Sequence, residues 1–314
     1  MQQNSIKVTI LTGFLGAGKT TLLNHIISQN PQTQYAIIEN EFGKVPLDQE
    51  LIDGPKEGIF ELANGCICCN INEELLKVLT KLITSDFKFD HLLIETTGIA
   101  DPLSVAATFM FDPHLQGIFS LDGIIALADA PTVLERIEQE SVTAQQLSAA
   151  HNILLNKTDL LPKEEWNKVK EVLASLNPFA EIIPCQYGQV DNEHLFDLRK
   201  RDYKMVEKAD QPIHHQHGQI RSFTWQSGNA LDLHKFEAWL SMFLPMNPSV
   251  YRVKGKLYSK TYDRKIIVQS VGTQFYFTQG SLFEEERGDN MLVFIGNNLD
   301  QESIKKALSD CEIN

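Results

Sequence analysis

The chain has 314 residues, 43% of them hydrophobic and 22% charged. That balance is ordinary globular usage, which excludes disordered, collagen-like and mucin-like chains, and the length suits about two domains. A net charge of −13, from 41 acidic against 28 basic side chains, repels polyanions and argues against nucleic acid or an anionic membrane as partner.

The first stretch, MQQNSIKVTILTGFLGAGK, has no basic leader, and its apolar run is broken by glycines. No run approaches the 18 or so apolar residues of a membrane span, so a cytoplasmic chain without a signal peptide is expected. From there to about Arg201, short β-branched runs alternate with helical patterns. Lys7–Leu11, Tyr35–Ile38, His91–Ile94, Ile124–Ala128, Ile153–Leu155 and Glu181–Ile183 read as strands, several apolar throughout. Lys163–Leu176 reads as a helix with Trp166, Val169, Leu173 and Leu176 on one stripe and Asn177-Pro178 closing it. The alternation predicts an α/β domain with a mostly parallel sheet covered on both faces.

After the first strand, Gly13-Phe14-Leu15-Gly16-Ala17-Gly18-Lys19-Thr20 matches G-x-x-x-x-G-K-[ST] and opens a helix that continues with Thr21. Glycines let backbone N–H groups converge on phosphate oxygens, Lys19 reaches the β- and γ-phosphates, and Thr20 offers its hydroxyl to Mg²⁺. The second strand runs into Glu39-Asn40-Glu41-Phe42-Gly43. Further on, Cys66, Cys68 and Cys69 crowd into four residues, while Cys185 and Cys311 stand alone. An odd, clustered set fits a reducing compartment better than a disulfide framework. Three thiolates can hold a borderline ion such as Zn²⁺, with Glu39 or Glu41 on the same sheet edge completing the site. Cys66 and Cys69 also form C-x-x-C, so a redox pair and inert buried thiols stay open.

The third strand ends in Glu95-Thr96-Thr97-Gly98. An acid there belongs in the magnesium shell, and the Gly98 N–H can meet a γ-phosphate. Asp101, just beyond, is a candidate to orient the attacking water. Asn156-Lys157-Thr158-Asp159 follows a later strand as N-K-x-D. The Asp159 carboxylate can accept both guanine donors, N1–H and the 2-amino group, whereas adenine would leave it poorly paired. Lys157 can lay its stem over the base, and Asn156 is expected to tie loops together. GTP is therefore the expected substrate.

Residues 204–218 are polar and contain Pro212 with His214, His215 and His217, which marks a linker and leaves open either metal contact or plain polarity. Residues 1–203 precede it as the phosphate-loop domain. Residues 219–314 then read as a smaller α+β domain. Its strands are Arg221–Trp225, Val250–Tyr258, Lys265–Ser270, Gln274–Thr278 and Met291–Ile295, with helices capped by Asp232 and Asp300.

Taken in order, G-F-L-G-A-G-K-T, E-N-E-F-G, G-C-I-C-C, E-T-T-G-x-A-D-P and N-K-T-D resemble the CobW-like GTPases. These are phosphate-loop metallochaperones related to the nickel-insertion GTPases of urease and hydrogenase. Arg252-Val253-Lys254-Gly255 and Phe294-Ile295-Gly296 extend the resemblance through the second domain, closest to the short zinc-associated bacterial members. The resemblance implies slow GTP hydrolysis coupled to delivery of zinc, or of Co²⁺ or Ni²⁺, to a client metalloprotein. It maps the cargo site onto Cys66, Cys68 and Cys69 with Glu39 as carboxylate and Glu41 as second candidate, and leaves a homo-oligomer open. Two departures stand out. Lys44 occupies a place that is acidic in some relatives, and only three histidines remain of a longer histidine tract. A nucleotide-gated regulatory protein with structural or redox cysteines is the alternative; a phosphate-loop kinase is disfavoured, since no acceptor pocket is legible.

Overall fold

The computed structural model describes residues 5–40, 59–61, 71–96, 101–199, 206, 214–217, 220–283 and 288–313. The chain gathers into two compact units, Met1–Lys170 with Ala180–Arg199, and Glu171–Phe179 with Lys200–Asn314.

In the first unit β1 (Ile6–Gly13) leads into α1 (Lys19–Gln29), followed by β2 (Tyr35–Asn40), β3 (Ile59–Glu61), α2 (Ile71–Thr84) and β4 (His91–Thr96). Then come α3 (Pro102–Phe111), β5 (Phe119–Asp129), α4 (Val133–Gln139), α5 (Ser141–Ala149), β6 (Asn152–Asn156), α6 (Lys163–Leu176), whose part from Glu171 on belongs to the second unit, and β7 (Glu181–Pro184). Among the described residues these strands form one seven-stranded sheet in the order β3-β2-β4-β1-β5-β6-β7. Every pairing in it is parallel. The uninterrupted apolar runs follow from covering both faces. Leu11, Ile37, Leu93, Ile125, Leu127 and Leu154 pack with Leu22, Leu23 and Ile26 of α1 on one side. Ile10, Ile38, Ile94, Ile124 and Leu155, one residue out of phase, are equally buried. Each such side chain contributes roughly 1.5–3 kcal/mol on leaving water.

This topology puts β1 between β4 and β5, so the loop after it opens at the carboxyl edge of the sheet, where α/β folds bind ligands. The registers align the tips. Glu95 sits beside both Glu39 and Leu11, Gly13 beside Leu127, and Asp129 beside Asn156. At the opposite, amino edge, buried His91 exchanges a 2.8 Å hydrogen bond with the Thr9 hydroxyl. Loss of hydration, and secondarily the Lys7 ammonium, push its imidazole down to about 4.

The second unit contains β8 (His214–His217), β9 (Ile220–Ser227), α7 (Leu233–Met246), β10 (Val250–Leu257), β11 (Arg264–Val271), β12 (Gln274–Leu282), β13 (Asn290–Asn297) and α8 (Gln301–Asp310). The sheet order is β12-β11-β10-β13-β9-β8, antiparallel throughout. Asp232 accepts from the His234 and Lys235 N–H groups and starts α7, and Asp300 accepts from Ser303 and starts α8. Phe223, Val253, Val268, Leu292 and Phe294 form one face and pack with Phe236, Leu240 and Leu244 of α7 and Ile304 and Leu308 of α8. In β10 the alternate positions Arg252, Lys254 and Lys256 are buried as well. Lys256 pairs with Asp289 at 3.1 Å, and the Lys254 ammonium lies 4.8 Å from the Phe179 ring centre. The Ser222 hydroxyl donates to the Ser175 carbonyl at 2.8 Å, which with the Phe179 contact attaches Glu171–Phe179 to this unit.

One expectation is corrected. His214–His217, read as part of a linker, pairs with Ser222 and its neighbours as edge strand β8. A polar tetrapeptide carries no apolar alternation, so backbone pairing alone makes it a strand, and that leaves no local signal.

Candidate nucleotide site

The loop from Gly13 to Lys19 joins β1 to α1 through backbone that only glycine adopts easily. Gly13 has φ +132°, and a side chain there would run into the Leu127 carbonyl; Gly18 has φ +105°, and a Cβ would lie 2.5 Å from the Asn156 amide nitrogen. The loop therefore closes down on β5 and on Asn156. Lys19 curls over its mouth, with Nζ donating to the carbonyls of Gly13 (3.0 Å) and Phe14 (3.4 Å). The same ammonium lies 3.8 Å from Glu95 Oε1, with only 6% and 13% of the two side chains exposed. Glu39, 8% exposed, occupies the adjacent register position on β2. Lys19 thus faces the Glu95 carboxylate, with Glu39 next to it on the neighbouring strand.

Thr20 is half-buried in the first turn of α1, and Thr21 is exposed beside it. Phe14 is half-buried, Ala17 is buried, and Gly16 and Leu15 (79% exposed) form the loop crest. The guanidinium of Arg136 on α4 stacks 3.3 Å above the Phe14 ring. A hydroxyl and a carboxylate at the loop mouth are the hard oxygen donors that suit Mg²⁺.

Asn156, 2% exposed, ties three tips together. Its Nδ2 donates to the Ala17 carbonyl at 2.9 Å, while Oδ1 accepts from the Gly188 N–H at 3.0 Å and the Cys185 thiol at 3.6 Å. Burial pushes that thiol up to about 12. Lys157 adopts left-handed backbone at φ +60° and donates to Asp129 Oδ2 at 2.6 Å. Asp159 is exposed on a single 3-10 turn, which is fixed by the Thr158 hydroxyl donating to the Cys185 carbonyl at 2.9 Å. Phosphate loop and N-K-x-D thus share one sheet edge, bridged by Asn156.

Asp101 serves a different end from the one expected. Both of its carboxylate oxygens accept hydrogen bonds at the start of α3, from the Leu103 N–H (2.9 Å) and the Ser104 hydroxyl (2.9 Å). Helix capping accounts for it, not water orientation. Cys66, Cys68, Cys69, Glu41 and Gly98 lie outside the described residues, as do the side chains of His214, His215 and His217. Among the described residues no three His, Cys, Asp or Glu side chains gather closely enough to hold a metal ion. Asp129 and Arg136 escaped the sequence reading. For Asp129 a signal existed, an acid ending an apolar strand as Glu95 does; for Arg136 there was none.

Comparison with known proteins agrees with this layout. Residues 7–184 match the family model of the CobW/HypB/UreG nucleotide-binding domain, and residues 220–312 that of the cobalamin synthesis protein cobW C-terminal domain. The chain is 34% identical to the zinc chaperone YjiA of Escherichia coli, over 98% of each chain. It is 30% identical to the zinc chaperone CobW of Pseudomonas aeruginosa, over 96% of this chain and 90% of that one. The crystal structure of Zn(II)-bound YjiA GTPase from E. coli superposes with a TM-score of 0.77 at 28% identity, over 99% of this chain and all of that one. A YjiA triple mutant with a glutamate and two cysteines changed to alanine, also Zn(II)-bound, gives 0.78 at 29% identity, over 99% of this chain and 100% of that one. A phosphate loop on β1, an acid at the tip of β4, N-K-x-D after β6 and a C-terminal antiparallel sheet, matched over nearly the full length, place this chain in the CobW/HypB/UreG family.

Proposed function

We propose that this protein is a GTPase that binds zinc or a similar divalent ion as cargo and hands it to a client metalloprotein. The observation that carries the reading is buried Lys19, held by the Gly13 and Phe14 carbonyls 3.8 Å from Glu95, with Asn156 linking that loop to N-K-x-D. Gly13–Thr20 cradles the phosphates, and Lys19 draws negative charge toward itself. Asp159 reads guanine, and Lys157 lines the base. Thr20 and Glu95 are the residues that would hold Mg²⁺, whose chemistry is to neutralise charge on the phosphate oxygens.

The cargo reading joins Cys66, Cys68 and Cys69 to Glu39. It draws on the zinc chaperones among the relatives and on the place of Glu39, one strand from Glu95. A terminal phosphate that orders the segment after β2, with Gly98 contributing its N–H, would also set the geometry of the cargo ligands. Reciprocity then requires zinc to change nucleotide affinity by the same factor. Titration of zinc into the GDP form and into the form bound to a non-hydrolysable GTP analogue tests this, and equal affinities end the coupling. Turnover is slow in the absence of a client, since Asp101 is committed to its helix cap.

One finding favours a second reading. Because the YjiA triple mutant is Zn(II)-bound, zinc here would also meet donors away from the cysteines, with His214, His215 and His217 as candidates. A Cys66/Cys68/Cys69→Ser variant that keeps its full zinc content in elemental analysis supports it.

A further inference from the structure

At the tip of β5, Asp129 has no assigned part in nucleotide chemistry, yet the structure holds it firmly. Its carbonyl accepts from the Thr132 N–H at 3.1 Å, and the next residue, Ala130, donates to the Asn156 carbonyl at 2.9 Å. Its side chain is 16% exposed, and Oδ2 receives the Lys157 ammonium at 2.6 Å. Lys157 in turn sits in left-handed backbone that a lysine adopts only at a cost of roughly 1–3 kcal/mol. Such strain persists only where the surroundings impose it. Two restraints are visible: Asn156, locked to the phosphate loop, and Asp129, which holds the far end of the lysine.

The geometry points to Asp129 as the positioning residue of the base site: its carboxylate lays the Lys157 stem along one wall and so aims the turn that carries Asp159. A lysine released from this partner would swing into solvent, because its long stem has many rotamers. The inference rests on the guanine reading of N-K-x-D proposed above. Asp129 touches neither phosphate nor base on this account and acts through Lys157 alone.

Titration of the full chain with fluorescent mant-GDP and mant-ADP tests it. Asp129→Ala is expected to weaken mant-GDP about tenfold, the worth of one charge-assisted contact, and to shift mant-ADP by less than about twofold. Lys157→Ala should cost about as much, and the double variant no more than Lys157→Ala alone, because the two residues form one unit. Asp129→Glu should recover part of the loss, and Asp129→Asn keeps the shape if the alanine variant does not fold. Equal weakening of both nucleotides, or losses at Asp129 and Lys157 that simply add, would overturn the proposal. A wild-type chain with no preference for mant-GDP overturns the guanine reading and this inference with it. A preference for mant-GDP that is undiminished in Asp129→Ala overturns only the inference.

Discussion

In the parallel sheet, the polar side chains of the nucleotide site stand where strands stop. Glu39 and Glu95 are one residue short of the ends of β2 and β4, and Asp129 and Asn156 are the last residues of β5 and β6. In the antiparallel sheet Arg252 and Lys254 are buried in mid-strand, between the neighbouring strands β11 and β13. A strand tip has no flanking backbone beyond it, so a side chain there can turn toward a ligand. A mid-strand side chain is boxed in by its neighbours and must find its partner inside the fold, as Lys254 does in the Phe179 ring. Position along the strand, more than residue type, therefore separates chemistry from architecture in this protein.

The sharpest way to break the contrast is Phe294→Ala. Phe294 is fully buried and stacks on Phe223 with ring centres 5.1 Å apart. Denaturant unfolding should show a loss of about 3–5 kcal/mol. At temperatures where the variant is folded, GTP affinity should match the wild type. Altered affinity would mean that the second unit does more than scaffold.

His91 tests the amino edge of the sheet. Its folded value, about 4, lies below the ordinary 6.5, so the unfolded chain binds the proton first. Stability from this group is complete above about pH 6.5 and is lost as pH falls toward 4, up to about 3 kcal/mol. A His91→Gln variant should be less stable at neutral pH and should flatten that part of the stability profile, while GTP turnover at pH 7 stays unchanged. A profile as steep as the wild type's would place the titration elsewhere.

Lys19→Ala reverses the pattern. Phosphate release should fall at least about 100-fold, equivalent to about 2.7 kcal/mol, while the melting profile of the second unit is unaffected. Smallest of all, Asp232→Ala removes the cap of α7 and should cost about 1 kcal/mol in the same denaturant assay, with no change in turnover.

Much of this was legible before any coordinates. Each of the six runs read as strands in the first 200 residues became one, because burial on both faces writes itself into composition. Asp232 and Asp300 announced their helices, and G-x-x-x-x-G-K-T announced the loop. What stayed hidden depends on partners far away in the chain. β3 is three residues long and exists by pairing with β2, and β8 is all polar and exists by pairing with β9. The Lys157–Asp129 pair spans 28 positions and the Asn156–Ala17 bond 139. No local periodicity records bonds of that reach. Asp101 shows the converse, since a residue in a suggestive motif position was taken up by ordinary capping.

The Cys185 thiol illustrates how burial takes a single sulfur out of play beside a nucleotide site. Held at about 12 by its apolar surroundings, it stays protonated under physiological conditions and competes for neither zinc nor electrophiles. A maleimide reagent used near neutrality would therefore pass over this position.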